Sequence, residues 1–495
     1  MAPALRAVGP AAVVAVAAAL AAPPLASGEG RPGYGGEVIG TLLGEPATLD
    51  PVMARSHAEI AVTGLLFDTL YVVGPDGAVR PHLAAALPEL TDQRVRIALR
   101  PGLTFHDGTA LTAVDVLATL ARIRTSQAAG WLLASVADLA VDGDDVILTL
   151  ATPRKDLARL LATPWTAITP RGLAPKRDAP VGSGPFRLVA RRADRLELAP
   201  WEHHSAGRPY VDRLTLRWFT GASDEAQLYE TGGASWSLRG ATRFAGASPK
   251  HPTAELESPA TVLVFVGFGQ AHADVLGNRD FRAALDAALA RSGLVTVGTG
   301  ERAVPAGDPV PVDLGGPALA AAAADPRLDV AGAALTRAAA AVPALGRARI
   351  GGLTLEILVA DSRPDDREVA ARVVRALDKL GARATITAVS AAELARRVAA
   401  GACDLYVGQA TIELAAPALI YAQAFALAGD RATADKLVTG AIAGARMRET
   451  FAARLPVLPL LHRAVRVHHR ADLRGAWFDG SARLGVADLF VWPPR

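Results

Sequence analysis

The sequence predicts an α/β chain folded as two lobes, and three observations carry that prediction. The segments Thr354–Val359, Asp365–Leu380, Ala384–Ala388, Ala391–Ala400 and Asp404–Val407 alternate β-α-β-α-β, the pattern of a parallel sheet with right-handed crossovers. Short strand patterns lie on both sides of that unit, so the chain is expected to return to the lobe in which it began. The 495 residues are 51% hydrophobic and 20% charged, a core-forming composition long enough for about two to four domains.

The elements follow in order. Glu37–Leu43 (EVIGTLL) reads as a short buried strand, and Gly44–Pro51 turns the chain. Apolar spacing through Ile60, Leu65, Leu66 and Leu70 predicts a helix over His57–Tyr71. Gly74–Gly77 is a turn, Arg94–Leu99 alternates as a strand, and Leu103–Gly108 is a strand running into a turn. Thr112 with Asp115 three residues on is a capping box that opens a helix to about Arg124. Asp145–Leu150, Phe186–Ala190, Arg195–Ala199 and Arg213–Phe219 are short strands, and Glu225–Glu230 is a helical turn or two. Thr261–Val266 is a continuous β-branched run, as in a fully buried strand. Asn278–Arg291 is an amphipathic helix. From Pro305 to Arg347 the chain is rich in Ala, Gly and Pro and reads as a loop with one helix near Val330–Val342. Leu455–Val467 is apolar and broken by Pro456 and Pro459.

Composition excludes several function classes. A net charge of 52 − 49 = +3 gives no electrostatic footprint for nucleic acid. Aromatics at 5% do not make a base-stacking platform. The single cysteine, Cys403, excludes an internal disulfide and any cysteine-rich metal cluster, and reads as a small buried filler. Residues 1–28 read as a secretory signal: Arg6, an apolar run Ala11–Ala22, Pro23-Pro24, then Ala26-Ser27-Gly28. That run is shorter than the ~20 residues that span a bilayer. A lipid anchor needs a cysteine just after the signal, and Cys403 is far away. The expected location is the periplasm, without a lipid anchor.

Ordered motifs resemble those of the family 5 extracellular solute-binding proteins, the peptide-, nickel- and opine-binding components of ABC importers. Leu66–Tyr71 (LFDTLY), Pro81–Ala84 (PHLA) and Arg100–Val116 (RPGLTFHDGTALTAVDV) come first. Val181–Phe186 (VGSGPF), Gly207–Leu214 (GRPYVDRL), Asp280–Arg291 (DFRAALDAALAR), Ala371–Gly381 with Asp404-Leu405-Tyr406, and Leu455–Leu461 (LPVLPLL) follow in the family's order. The resemblance runs from about residue 37 to the end. It implies a two-lobed periplasmic binding protein, type II and cluster C-like, with an extra α/β subdomain inserted in lobe I. On that template lobe I is 37–55, 178–257 and 456–495, the insertion 56–177 and lobe II 258–455. It further implies capture of a small-molecule or peptide ligand by lobe closure, delivery to permease subunits in the inner membrane, a monomer, and neither catalysis nor a cofactor.

The departures lie in the pocket loops. The family's "W..DY.DP" segment carries a carboxylate that pairs with a peptide's ammonium, but here the chain reads Gly408–Pro417 (GQATIELAAP), where Glu413 is the candidate substitute. Gly232–Trp236 (GGASW) stands where the family has "L..GE.D". The candidate ligand-binding residues are therefore Glu45, Trp236, Arg239, Gln409 and Glu413. Glu45 or Glu413 would meet a cationic group, Arg239 an anionic one, and Trp236 an apolar part. A solute-binding fold with an eroded pocket, serving as a non-transport scaffold or signalling partner, is the alternative. Ser183 in GSG lacks the spacing and the following helix of a hydrolase elbow. His106-Asp107 reads as a turn. The pairs His203-His204 and His468-His469, with His462, are candidate chelators, but neighbours on a strand point to opposite faces, and no metal is expected.

Overall fold

A computed structural model of the chain describes residues 33–88, 93–238, 251–294, 303–346, 350–479 and 483–492. The predicted signal, residues 1–28, and Arg239 lie outside the described residues. Two sheets organise the rest. The first has seven strands in the order 253–257, 466–470, 236–237, 37–41, 213–217, 195–200, 186–191. The second has six, in the order 303–305, 458–463, 262–268, 405–411, 354–360, 383–389. A separate antiparallel sheet of three strands, in the order Arg94–Ala98, Asp145–Leu150, Val136–Asp142, belongs to the segment inserted between strands 37–41 and 186–191 of the first sheet.

The β-α-β-α-β run forms as read. Thr354–Ala360 pairs in parallel with Arg383–Val389 and with Leu405–Thr411. The helix Pro364–Leu380 buries Val369, Val373, Ala376 and Leu377, and ends at Gly381 in the left-handed region. The second sheet is nonetheless mixed, because Val262–Phe268 runs antiparallel to Leu405–Thr411. All seven residues of Leu405–Thr411 are buried, which is what a central strand covered on both faces requires.

Three expectations are corrected. The first helix ends at Leu66 and not Tyr71, since Phe67 is extended and the Gly184 N–H donates to the Leu66 carbonyl (3.0 Å). Tyr71–Val73 then forms a hairpin with Val79–Pro81. Leu103–Gly108 is a turn closed by a single bridge, Thr104 to Ala110. His106 in that turn spends both ring nitrogens on backbone: Nδ1 on Gly182 N–H and Nε2 on the Gly184 carbonyl. The return to the first lobe does not begin at 456. Leu458–Arg463 still pairs within the second sheet, and the chain crosses between Arg463 and Arg466.

The other crossing lies between Glu257 and Val262, and the two connections grip each other. The Ser258 N–H donates to the Val465 carbonyl (2.9 Å), and the Val465 N–H donates to Ser258 Oγ (2.8 Å). The segment inserted between strands 37–41 and 186–191 also leans on the second lobe. Its core, with Trp131, Leu132 and Trp165, is continuous with Ile420, Phe425 and Leu437 from the helices Pro417–Leu427 and Arg431–Val438.

Candidate functional site

The loops at the carboxyl ends of strands 37–41 and 354–360 meet, with residues of strand 405–411 beside them, in the region where ligands sit in open α/β sheets. Between them lies a cavity of about 340 Å³. One wall is Leu43, Glu45, Thr48, Met53, Arg55 and Glu59; the other is Phe265, Arg363, the helix residues Ala391–Ala399, and Tyr406–Gln409. The walls touch across it: the Glu45 N–H donates to Ser362 Oγ (3.1 Å).

Most charge in this cavity is already matched. Glu45 accepts from Arg191 Nη2 (2.9 Å) and Arg177 Nη2 (3.3 Å). Glu59 is the return half of a capping box, accepting from the Arg55 and Ser56 N–H groups. Arg363 Nε lies 3.0 Å from Asp366 Oδ2. Gln409 Nε2 donates to Asp366 Oδ1 (2.7 Å), while its Oε1 accepts from Arg463 Nη2 (3.5 Å). Arg396 is held by Glu393 (2.6 Å). The half-buried Arg55 side chain differs: among the described residues it has no carboxylate or hydrogen-bonding partner. It stands near the buried phenol of Tyr406, whose pKa burial pushes up to about 12.

Of the residues singled out from sequence, the structure brings Glu45 and Gln409 into this cavity, on opposite walls. Trp236 does not line it. Its indole is buried over Gly40, and its Nε1 donates to the Thr41 carbonyl (3.2 Å), so it packs the first sheet. Glu413 does not line it either. It is buried beyond the end of strand 405–411, near the Asp479–Arg483 ion pair (2.9 Å). Arg55, which does face the cavity, was missed, because an arginine ahead of a helix cap carries no sequence signal of its own.

Burial raises the Glu413 carboxyl from 4.5 to about 8, against the pull of Arg483. The folded chain thus keeps a proton that the unfolded chain releases. The stability from neutral Glu413 is fully present below pH 4.5 and is lost as the pH rises through about 8. Glu413→Gln is expected to flatten this dependence. Relative to the native chain, the variant gains stability at pH 9 on the order of a few kcal/mol and gains none at pH 4. Urea denaturation at the two pH values checks it, and an equal gain at both would sink it.

Comparison with known proteins gives a consistent picture. The family model of bacterial extracellular solute-binding proteins, family 5 (middle), matches residues 78–430. Protein XP55 of Streptomyces lividans is 29% identical over 293 residues, 56% of this chain and 52% of that protein. The chain spans about half the length of the curated relatives it matches, since the oligopeptide-binding protein AppA of Bacillus subtilis, 24% identical, is likewise covered over 52%. Solved structures match over nearly all of both chains. AppA in complex with a nonapeptide superposes with a TM-score of 0.74 at 18% identity, covering 93% of this chain and 100% of the other. AgaA of A. tumefaciens R10 in complex with agropinic acid gives 0.73 at 19% identity, covering 93% and 99%. The two-lobed fold of these binding proteins is therefore the fold of this chain. No helix among the described residues is long and apolar enough to cross a membrane.

Proposed function

This chain belongs to the bacterial extracellular solute-binding proteins, family 5, and from that premise we propose that it is the periplasmic substrate-binding component of an ABC importer. It captures a small solute by closing two lobes, does no chemistry, and hands the closed complex to permease subunits as a monomer. The observation that carries this reading is the cavity between the lobes, about 340 Å³, faced by the guanidinium of Arg55, which has no partner among the described residues.

The same geometry selects a ligand class. Gripping a peptide's free ammonium takes an ionised carboxylate in the cleft. Glu45 already serves two arginines, Glu59 caps a helix, and Glu413 holds its proton at neutral pH. The charge on offer is cationic, set among Leu43, Phe265, Leu394 and Val398. The favoured solute carries a carboxylate and an apolar or neutral body, a peptide-like or opine-like acid rather than a peptide held by its amino end.

A thermal-shift and calorimetry panel of free dipeptides, N-acylated peptides and opine-type acids tests this. The expected result is stabilisation by an acidic member, with affinity falling at least about tenfold in Arg55→Met, as loss of a charge-assisted contact would give. No response to any member well above a plausible Kd would overturn the transport reading. Binding undiminished in Arg55→Met would overturn the assigned anchor.

A further inference from the structure

Away from the cleft, three residues from distant parts of the chain converge on one point. Asp68 follows the helix His57–Leu66, His82 follows strand Val79–Pro81, and His204 sits in the loop between strands Arg195–Pro200 and Arg213–Arg217. Asp68 Oδ1 lies 2.9 Å from His82 Nε2 and 3.4 Å from His204 Nε2. One ligand atom from each of the three lies within 4.8 Å of the others. Asp68 is only 5% exposed, and its second oxygen, Oδ2, has no hydrogen-bonding partner among the described residues.

The tautomer of His204 sharpens the point. Its Nδ1 is 3.0 Å from the Gly207 carbonyl, which can only accept, so Nδ1 carries the hydrogen. In the neutral ring the Nε2 lone pair then points at a carboxylate, two acceptors face to face. A positive centre between them, a proton on Nε2 or a metal ion, removes the conflict. A backbone carbonyl on the far ring nitrogen is also how proteins orient a metal-ligating histidine. Tetrahedral bonds of ~2.0–2.1 Å place neighbouring ligand atoms about 3.3 Å apart, close to the two separations from Asp68, 2.9 and 3.4 Å. Asp68 is itself fixed from both sides: its N–H donates to Ser183 Oγ (3.3 Å), and its carbonyl accepts from the Ile168 N–H (2.8 Å).

We propose that Asp68, His82 and His204 bind a divalent zinc-class ion through one carboxylate and two imidazoles, leaving one coordination position to water. Two-imidazole, one-carboxylate sets suit Zn²⁺ among the first-row ions. The ion would join three segments, tying the 201–207 loop of the first lobe to the hairpin Tyr71–Pro81. His106, although close, is not a ligand, because both of its nitrogens are engaged by backbone. Entry is short, since Glu202 and His203 beside the site are exposed.

The tag-free chain, stripped with EDTA, is titrated with ZnCl₂ by calorimetry and with Co²⁺ by visible absorption. Expected are one ion per chain, a rise in Tm with Zn²⁺ reversed by EDTA, and a Co²⁺ spectrum of low coordination number. His204→Gln and His82→Gln, checked for folding by circular dichroism, lose at least tenfold in affinity, while His203→Ala keeps it. No uptake at one equivalent, or uptake undiminished in both glutamine variants, overturns the site. The cluster is then held together by protons alone.

Discussion

Gly182→Ala is expected to cost about 3 kcal/mol or more. A Cβ on Gly182 would sit 1.8 Å from the Leu66 carbonyl oxygen and 2.9 Å from the Phe67 ring. The first of these neighbours is backbone, so it cannot swing aside. Three connections run through the same spot: Gly184 N–H to the Leu66 carbonyl, His106 N–H to the Gly182 carbonyl (2.7 Å), and Asp68 N–H to Ser183 Oγ. Pushing these segments apart strains all three connections together. Gly77→Ala is the contrast. Gly77 has φ +74 with nothing within 4 Å of a built Cβ, so only the conformational term remains, about 1 kcal/mol. Denaturant melts of the two variants compare them, and a Gly182→Ala loss no larger than that of Gly77→Ala would refute the steric argument.

The same knot explains what was legible in the sequence. LFDTLY, FHDG and VGSGPF are three blocks far apart in the chain, and the structure makes them one contact: the helix end at Leu66, the turn at His106 and the GSG segment hydrogen-bond to each other. Arg291 does the same for two others. It is 1% exposed, donates from Nε to the Pro459 carbonyl (3.0 Å), and so ties DFRAALDAALAR to LPVLPLL. Local patterns also located the β-α-β-α-β unit, because its helices bury one face at a helical period.

What was not legible has equally physical causes. Pro417–Leu427 (PALIYAQAFAL) is buried on nearly every side, so it shows no helical period to read. Val136–Asp142 is mostly exposed and lacks a strand's apolar alternation, gaining its place from pairing with Asp145–Leu150. The site was half legible. Glu45 and Gln409 fall on the cavity, yet their partners Arg191, Ser362 and Asp366 come from other segments, and no spacing rule joins them. Arg55 and the Asp68–His82–His204 cluster share that cause. The adjacent pair His203-His204 carries no signal for that cluster. The partners of His204 are 136 and 122 positions away (204 − 68 and 204 − 82).

Asp366→Ala is the second substitution with a large expected effect, and it separates the scaffold of the cleft from its ligand contact. Asp366 is 1% exposed at the start of the helix Pro364–Leu380, where the helix dipole favours an acid. Burial raises its pKa, and Arg363, Gln409 and Arg463 oppose that shift. Removing the carboxylate strips Arg363 of its counter-charge and leaves Gln409 Nε2 without an acceptor. Breaking one side of a buried pair costs roughly 3–5 kcal/mol, because the remaining charge stays desolvated. Asp366→Asn keeps shape and an acceptor for Gln409, so about 1–2 kcal/mol is expected. The binding results should run differently from the stability results. In Asp366→Asn, Arg363 is released into the cavity that Arg55 already faces, so an acidic ligand binds at least as tightly to a less stable protein. Denaturation midpoints and calorimetric Kd values on the same samples test this. If Asp366→Asn weakens an acidic ligand as much as Arg55→Met does, Asp366 holds the ligand site itself and not merely its wall.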